Sequence, residues 1–185
     1  LFSSLGASST TLINTEIFHC ATLSGGLVAH TQNSDTKFYV KENTSITNNF
    51  SGNDGGLFKV DSGSELILDS AIINDNFALD SNGYVVMVTG SNSTLTMNGG
   101  EITNNSSLSS DGKSGNGAIY LSLNGQLNMN GGKIHNNQGL ETGGIATDDS
   151  KTSVNLNGRK KKKNKGTIGN NYKSDINLNS DLNIG

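Results

Sequence analysis

Apolar residues in this chain fall in short clusters, and the clusters return about every thirty residues. Each copy opens on small residues: Gly25-Gly26, Gly55-Gly56, Asn82-Gly83, Asn116-Gly117 and Gly143-Gly144. A first cluster follows: Leu27–His30, Leu57–Val60, Tyr84–Met87, Ala118–Leu121 and Ile145–Asp148. A second alternates apolar with polar: Phe38–Val40, Leu66–Leu68, Leu95–Met97, Leu127–Met129 and Val154–Leu156, with partial copies at Leu12 and Ile176–Leu178. A third centres on one isoleucine: Ile17, Ile46, Ile73, Ile102, Ile134 and Ile168. Strict alternation over three or four residues, bounded by Gly and Asn, predicts strands. No segment holds a capped 3.6-residue period, so almost no helix is expected. One unit cannot bury its own apolar side, so a fixed period of this length predicts stacked coils around a shared narrow core.

The expected fold is therefore all-β: a parallel β-helix of three short strands per coil, with about five full coils and partial coils at the ends. It spans residues 1–185 as one domain. The step from the second cluster to the third is constant, five positions from Leu68 to Ile73, Met97 to Ile102 and Met129 to Ile134. Asn98-Gly99-Gly100 and Asn130-Gly131-Gly132 fill that step with residues that accept positive φ, as a sharp corner demands. Three positions after each isoleucine stands Asn49, Asn76, Asn105, Asn137 or Asn171, with Cys20 in the first copy. Coils stack ~4.8 Å apart, a spacing at which these amides would bond into a ladder.

Composition agrees with a thin core. Hydrophobic residues make up 32% of the chain, against ~45–50% in ordinary globular domains. The net charge of −3 is too small for charge-driven disorder. Proline is absent, as a ladder that needs nearly every backbone N–H would require. Cys20 is the only cysteine, so no internal disulfide can form. No apolar run reaches the ~18 residues of a transmembrane helix. Strand edges at both ends would need capping, so flanking coils or another chain are expected there.

Three surface features are candidates for contact. Arg159, Lys160, Lys161, Lys162, Lys163 and Lys165 interrupt the corner between Gly158 and Gly166, and removing 159–165 restores NLNGGTIGNN. This projecting basic loop is read either as an anion grip or as a solvated insertion in a tolerant turn. No aromatic residue interleaves the lysines, so no specific nucleic-acid partner is expected. Counting strand positions from the glycine pairs turns Val28, Phe58, Val85, Ile119 and Ala146 inward. It leaves an outward stripe that includes Leu27, Leu57, Tyr84, Val86, Tyr120 and Ile145. Such a stripe would serve a ligand or partner; the other reading covers it with a loop. Finally, Asn43, Asn92 and Asn104 begin N-x-S/T triplets and are the candidate glycan acceptors; Asn49 and Asn105 do so too but fall in the proposed ladder.

Catalytic and metal signals are sparse. Asp148-Asp149 is the only adjacent acidic pair. General acid–base work needs two groups in defined geometry, and no second partner is evident. Polysaccharide lyases and hydrolases of parallel β-helix architecture combine clustered acids with a basic residue or a His-Gly pair. Here the only Arg lies in the insert, and none of His19, His30 and His135 precedes glycine. Asn53-Asp54 and Asp75-Asn76 are too isolated for a calcium loop, so no metal or cofactor is expected.

Phe50-Ser51-Gly52-Asn53 followed by Gly55-Gly56-Leu57, and Gly115-Asn116-Gly117-Ala118-Ile119, resemble the Phe-x-x-Asn and Gly-Gly-Ala-aliphatic halves of polymorphic outer-membrane protein repeats. That resemblance implies a right-handed parallel β-helix of pectin-lyase-like fold. It also implies an adhesin-like, non-enzymatic protein on a cell surface or outside the cell, meeting proteins or glycans. The alternatives are a scaffold rod in a filament or ciliary assembly and, third, a polysaccharide-active enzyme.

Overall fold

A computed structural model describes residues 1–4, 6–23, 26–52, 56–80, 84–109, 112–113, 115–157, 167–169, 171, 176–177 and 181–184. They wind as a parallel β-solenoid of about five coils, with no helix among the described residues. One coil shows the plan. Phe58–Val60, Glu65–Leu68 and Ile72–Asn74 form three short strands, and Phe77–Asp80 adds a fourth before the chain re-enters the first sheet at Val86–Thr89. Equivalent strands of successive coils pair in parallel, giving sheets of seven, seven, six and four strands.

The isoleucines lie in register. Ile17 pairs with Ile46, Ile46 with Ile73, Ile73 with Ile102, Ile102 with Ile134 and Ile134 with Ile168. Ile46, Ile73, Ile102 and Ile134 have no solvent exposure. The second sheet adds Phe38, Leu66, Leu95, Leu127 and Val154 to one cluster with them. Burying each such side chain contributes ~1.5–3 kcal/mol. One narrow core thus runs through the stack, and no coil is stable without its neighbours.

The five-residue corner forms as the sequence requires. Gly100 and Gly132 take φ of 85° and 87°, and a β-carbon on Gly100 would collide with the Ala71 carbonyl oxygen of the coil before. At the opposite corner, His19, Asn48, Asp75, Asn104 and Asn136 all adopt left-handed φ between 52° and 56°. That kink aims the next side chain into the body of the coil. The next side chains are Cys20, Asn49, Asn76, Asn105 and Asn137.

The asparagine ladder forms there. Asn76 Nδ2 donates to Ile46 O of the preceding coil at 2.8 Å and to Asn105 Oδ1 of the following coil at 2.9 Å. Asn105 Oδ1 also accepts the Asn76 backbone N–H at 3.1 Å. The pattern runs from Asn49 to Asn137, whose Nδ2 reaches Asn171 Oδ1 at 3.1 Å. Asn76, Asn105 and Asn137 each use two donor hydrogens and two acceptor lone pairs, so these buried amides carry no desolvation cost. At the first coil the row ends. Cys20 gives its backbone N–H to Asn49 Oδ1 at 3.0 Å, but its thiol turns to Phe18 O at 3.4 Å.

Two details depart from the sequence reading. The fourth strand, at Ala21–Thr22, Phe50–Gly52, Phe77–Asp80 and Ser106–Ser109, was not anticipated, because its residues are mostly small and polar. Ile176 pairs with Ile145 in the first sheet, not the second. The second sheet closes instead with Asp181–Ile184, where Leu182 pairs with Val154 and Ile184 with Leu156.

Asn105→Ala is expected to cost about 3–5 kcal/mol in urea unfolding, because it orphans groups on both neighbouring coils. Asn104→Gly, one residue earlier at φ 55°, should stay within about 0.5 kcal/mol, since glycine accepts that conformation freely. Cys20→Asn should extend the ladder by one side-chain bond to Asn49 and raise the unfolding midpoint by the equivalent of about 1 kcal/mol; an unchanged or lower midpoint would contradict the ladder's role.

Candidate functional site

The outward stripe predicted on the first sheet is not exposed. Register places Ala29, Phe58, Val86, Ile119 and Ile145 in one row. That row faces inward, so Val86 and Ile145 are core residues. Leu27 and Leu57 also join the core cluster. The error has a simple origin. The strand starts two residues after Gly56 and Gly117, three after Gly26 and Gly83, and one after Gly144. Counting from the glycines therefore slips some coils by one, and one residue exchanges inside for outside. The outward row is His30, Lys59, Met87, Tyr120 and Ala146.

Tyr84 and Tyr120 do lie outside the main core, stacked with ring centroids 5.5 Å apart at 12°. They are nonetheless 2% and 8% exposed, in a small cluster with Met87 and Ala146. A tyrosine platform open to ligand is thereby excluded.

The acidic pair lies beside this stack, at the corner leading into the second sheet. Tyr120 Oη donates to Asp148 Oδ2 at 2.8 Å. Asp149 accepts three backbone N–H groups, from Lys151 at 2.7 Å, Thr152 at 3.0 Å and Asn124 at 3.3 Å. The first two close its own turn and the third ties it to the preceding coil. Burial raises the pKa of Asp149, but those amides outweigh it and hold the carboxyl below the usual range. Burial, and then the neighbouring Asp149, push Asp148 above it. Burial, with Asp148 and Asp149 adding to it, pushes the Tyr120 phenol far above its ordinary value. The pair thus takes its first proton on Asp148 while Asp149 braces a turn.

A shallow groove of ≈ 530 Å³ opens here, lined by Gly90, Ser91, Leu123, Asn124, Asp149, Ser150 and Lys151. Leu123 stands in it 67% exposed at φ 47°. That conformation costs an aliphatic residue ~1–2 kcal/mol. Asn124 Nδ2 donates across the groove to Ser91 Oγ of the coil before at 2.8 Å.

Comparison with protein families, curated proteins and solved structures finds no match. What is shown is the architecture alone, a parallel β-solenoid. The Phe-x-x-Asn phenylalanine opens a strand of the fourth sheet, where Phe50 stacks on Phe77 at 5.7 Å.

The remaining sequence candidates are scattered. Arg159, Lys160, Lys161, Lys162, Lys163 and Lys165 lie outside the described residues. Asn43, Asn92 and Asn104 are exposed, each at positive φ in a turn, whereas Asn49 and Asn105 are buried in the ladder. His30 Nε2 meets Asp61 Oδ2 at 3.0 Å, with Gln32 Nε2 3.3 Å from the same oxygen. Burial works against the Asp61 carboxylate, but hydrogen bonds from His30, Ser62 and Gln32 win and hold its pKa low. His135 lies in a separate group, 3.5 Å from Glu101, which Lys133 bridges at 2.7 Å. Among the described residues, no three His, Cys, Asp or Glu side chains come together as a metal-binding group.

A second row of amides was missed. At the corner after the second sheet, Asn130 Nδ2 donates to Asn98 Oδ1 and Asn157 Nδ2 to Asn130 Oδ1, both at 2.9 Å. One step inside it, Asn155 Nδ2 donates to Asn128 Oδ1 at 2.8 Å. These bonds point toward the N-terminal coil, opposite to the buried ladder. The signal was present in the repeated TMNGG, NMNGG and NLNG, where the asparagines were read only as turn formers.

Because the Asp148 pKa is raised on folding, its ionisation opposes the fold above that pKa and is silent at pH below the unfolded value. Asp148→Asn keeps an acceptor for Tyr120. It should raise the thermal midpoint at pH 7, with the gain vanishing near pH 3. A gain that persists at pH 3 would show that charge is not its cause.

Proposed function

We propose that this chain is a non-catalytic, surface-exposed or extracellular solenoid, adhesin-like in role, that presents contacts to a protein or glycan. The observation that carries the reading is the exterior of the second sheet. Its outward side chains recur coil by coil in strict register and are tied to one another by side-chain hydrogen bonds. A rigid repeating exterior suits recognition, because little side-chain freedom is lost on contact. The exposed turn positions of Asn43, Asn92 and Asn104 are compatible with glycans, and the outer-membrane repeat motifs favour the same setting by analogy.

The corner acids add support. Asp149 is occupied with backbone donors, and Asp148 with Tyr120, so both are tied to the fold. The scaffold-rod reading draws on a different observation. Leu1, Phe2, Ile13, Phe18 and Leu23 of the first coil are exposed, and its strands are paired on one side only, which is an edge another coil could continue.

Antibody staining of intact source cells is expected to reach the chain without permeabilisation. Staining that needs permeabilisation would favour the scaffold rod. Incubation with polyuronate or neutral glycans should release no product; unsaturated or reducing ends would overturn the non-catalytic reading.

A further inference from the structure

The geometry points to a binding face for a neutral, extended polysaccharide on the exterior of the second sheet, across the coils that contain Thr94–Met97, Gln126–Met129 and Ser153–Leu156. It rests on the solenoid being a recognition module and names the ligand of that module.

The face is built by register. Thr96, Asn128 and Asn155 form one outward column. Asn98, Asn130 and Asn157 form a second at the adjoining corner. Beside them, Thr94, Gln126 and Ser153 form a third. Nine short polar side chains therefore stand on a grid, ~4.8 Å apart from coil to coil and ~7 Å apart along each strand. None is charged. The character changes abruptly at the preceding coils, where the same columns hold Lys37 and Glu65, which pair at 3.1 Å. Thr96 Oγ1 donates to Glu65 at 2.9 Å, marking the border.

Two properties define the occupant. First, the asparagines of the grid are held in place by one another. Asn130 gives one N–H to Asn98 and accepts one from Asn157. Its second N–H and second lone pair have no partner among the described residues, so donor and acceptor stand side by side in a fixed pose. Second, a surface of alternating donors and acceptors without charge offers no gain to a polyanion or polycation. It does match a chain of hydroxyl groups, which donate and accept in equal measure. A hydroxyl-rich polymer lying along the grid would meet the same amide pair at each coil, and weak contacts repeated along a rigid array add up. A protein partner would call instead for an apolar centre with aromatic anchors, and this grid has neither.

The test is retention of the purified chain on insoluble cellulose, chitin and β-1,3-glucan, at about 0.1 M and about 1 M NaCl to separate ionic from neutral contact. The wild-type chain should bind at least one, equally at both salts. The variant T96K/N128E/N155K replaces the central column with alternating charges that pair across strands, the lysine at position 96 also meeting Glu65, and so spares the fold. It should lose at least tenfold in affinity while its thermal midpoint is kept. Asn130→Ala should lose about fivefold. No retention on any of the three would overturn the proposal. So would equal retention of the variant, or retention that is lost at the higher salt. Because the assay uses purified protein, its failure leaves the cell-surface result untouched; binding by a chain found only inside cells would refute the location alone.

Discussion

In-register stacking is the constraint on which everything else in this molecule depends. Each strand is two to four residues long and pairs only with its counterparts in the coils before and after. Each buried asparagine amide is satisfied only if the amides above and below sit at strand spacing. The left-handed residue at φ 52–56° and the ladder position that follows it are therefore one device. The kink delivers the amide, and the amide fixes the height of the next coil. Hydrophobic burial supplies the driving force, but it is tolerant of register. The hydrogen bonds are not, since an unmatched buried amide costs ~1–3 kcal/mol.

The same constraint governs the outside. A chain that must repeat its backbone every turn repeats its exterior too, so outward columns are a by-product of the core. Where those columns carry Lys37 and Glu65 they form an ion pair. Where they carry asparagine they form amide rows. The corner at Asp148 and Asp149 shows the limit of reading chemistry from composition. Two adjacent acids suggest reactivity, but one carboxylate closes a turn and the other takes a phenol hydrogen bond; burial and then Asp149 push Asp148 up while the turn amides hold Asp149 down.

Much of the architecture is legible in the residues. The isoleucine column, the Gly100 and Gly132 corners and the buried ladder all follow from spacing, because each depends on a fixed local count. The first-sheet stripe misled because its count began at glycines, and glycines lie at a variable distance from the strand they precede. The fourth strand carries no apolar alternation, so nothing local announces it. The burial of Tyr84 and Tyr120, and the meeting of Tyr120 with Asp148, depend on contacts between residues a whole coil apart. No single-strand pattern encodes those. The exposed amide rows lie between the two cases: their asparagines repeat visibly, but the same residues also suit a turn, and turn formation is the commoner reason for them.

The two families of amide rows point opposite ways. Inside, Asn49, Asn76, Asn105 and Asn137 each give one amide hydrogen to the next ladder carbonyl on the C-terminal side and the other back to an isoleucine carbonyl on the N-terminal side; outside, the side-chain bonds from Asn130, Asn155 and Asn157 run toward the N-terminal coil. Each row is a line of aligned dipoles whose members polarise one another. A coil added after the last would therefore have to offer a ladder carbonyl inside and amide hydrogens outside.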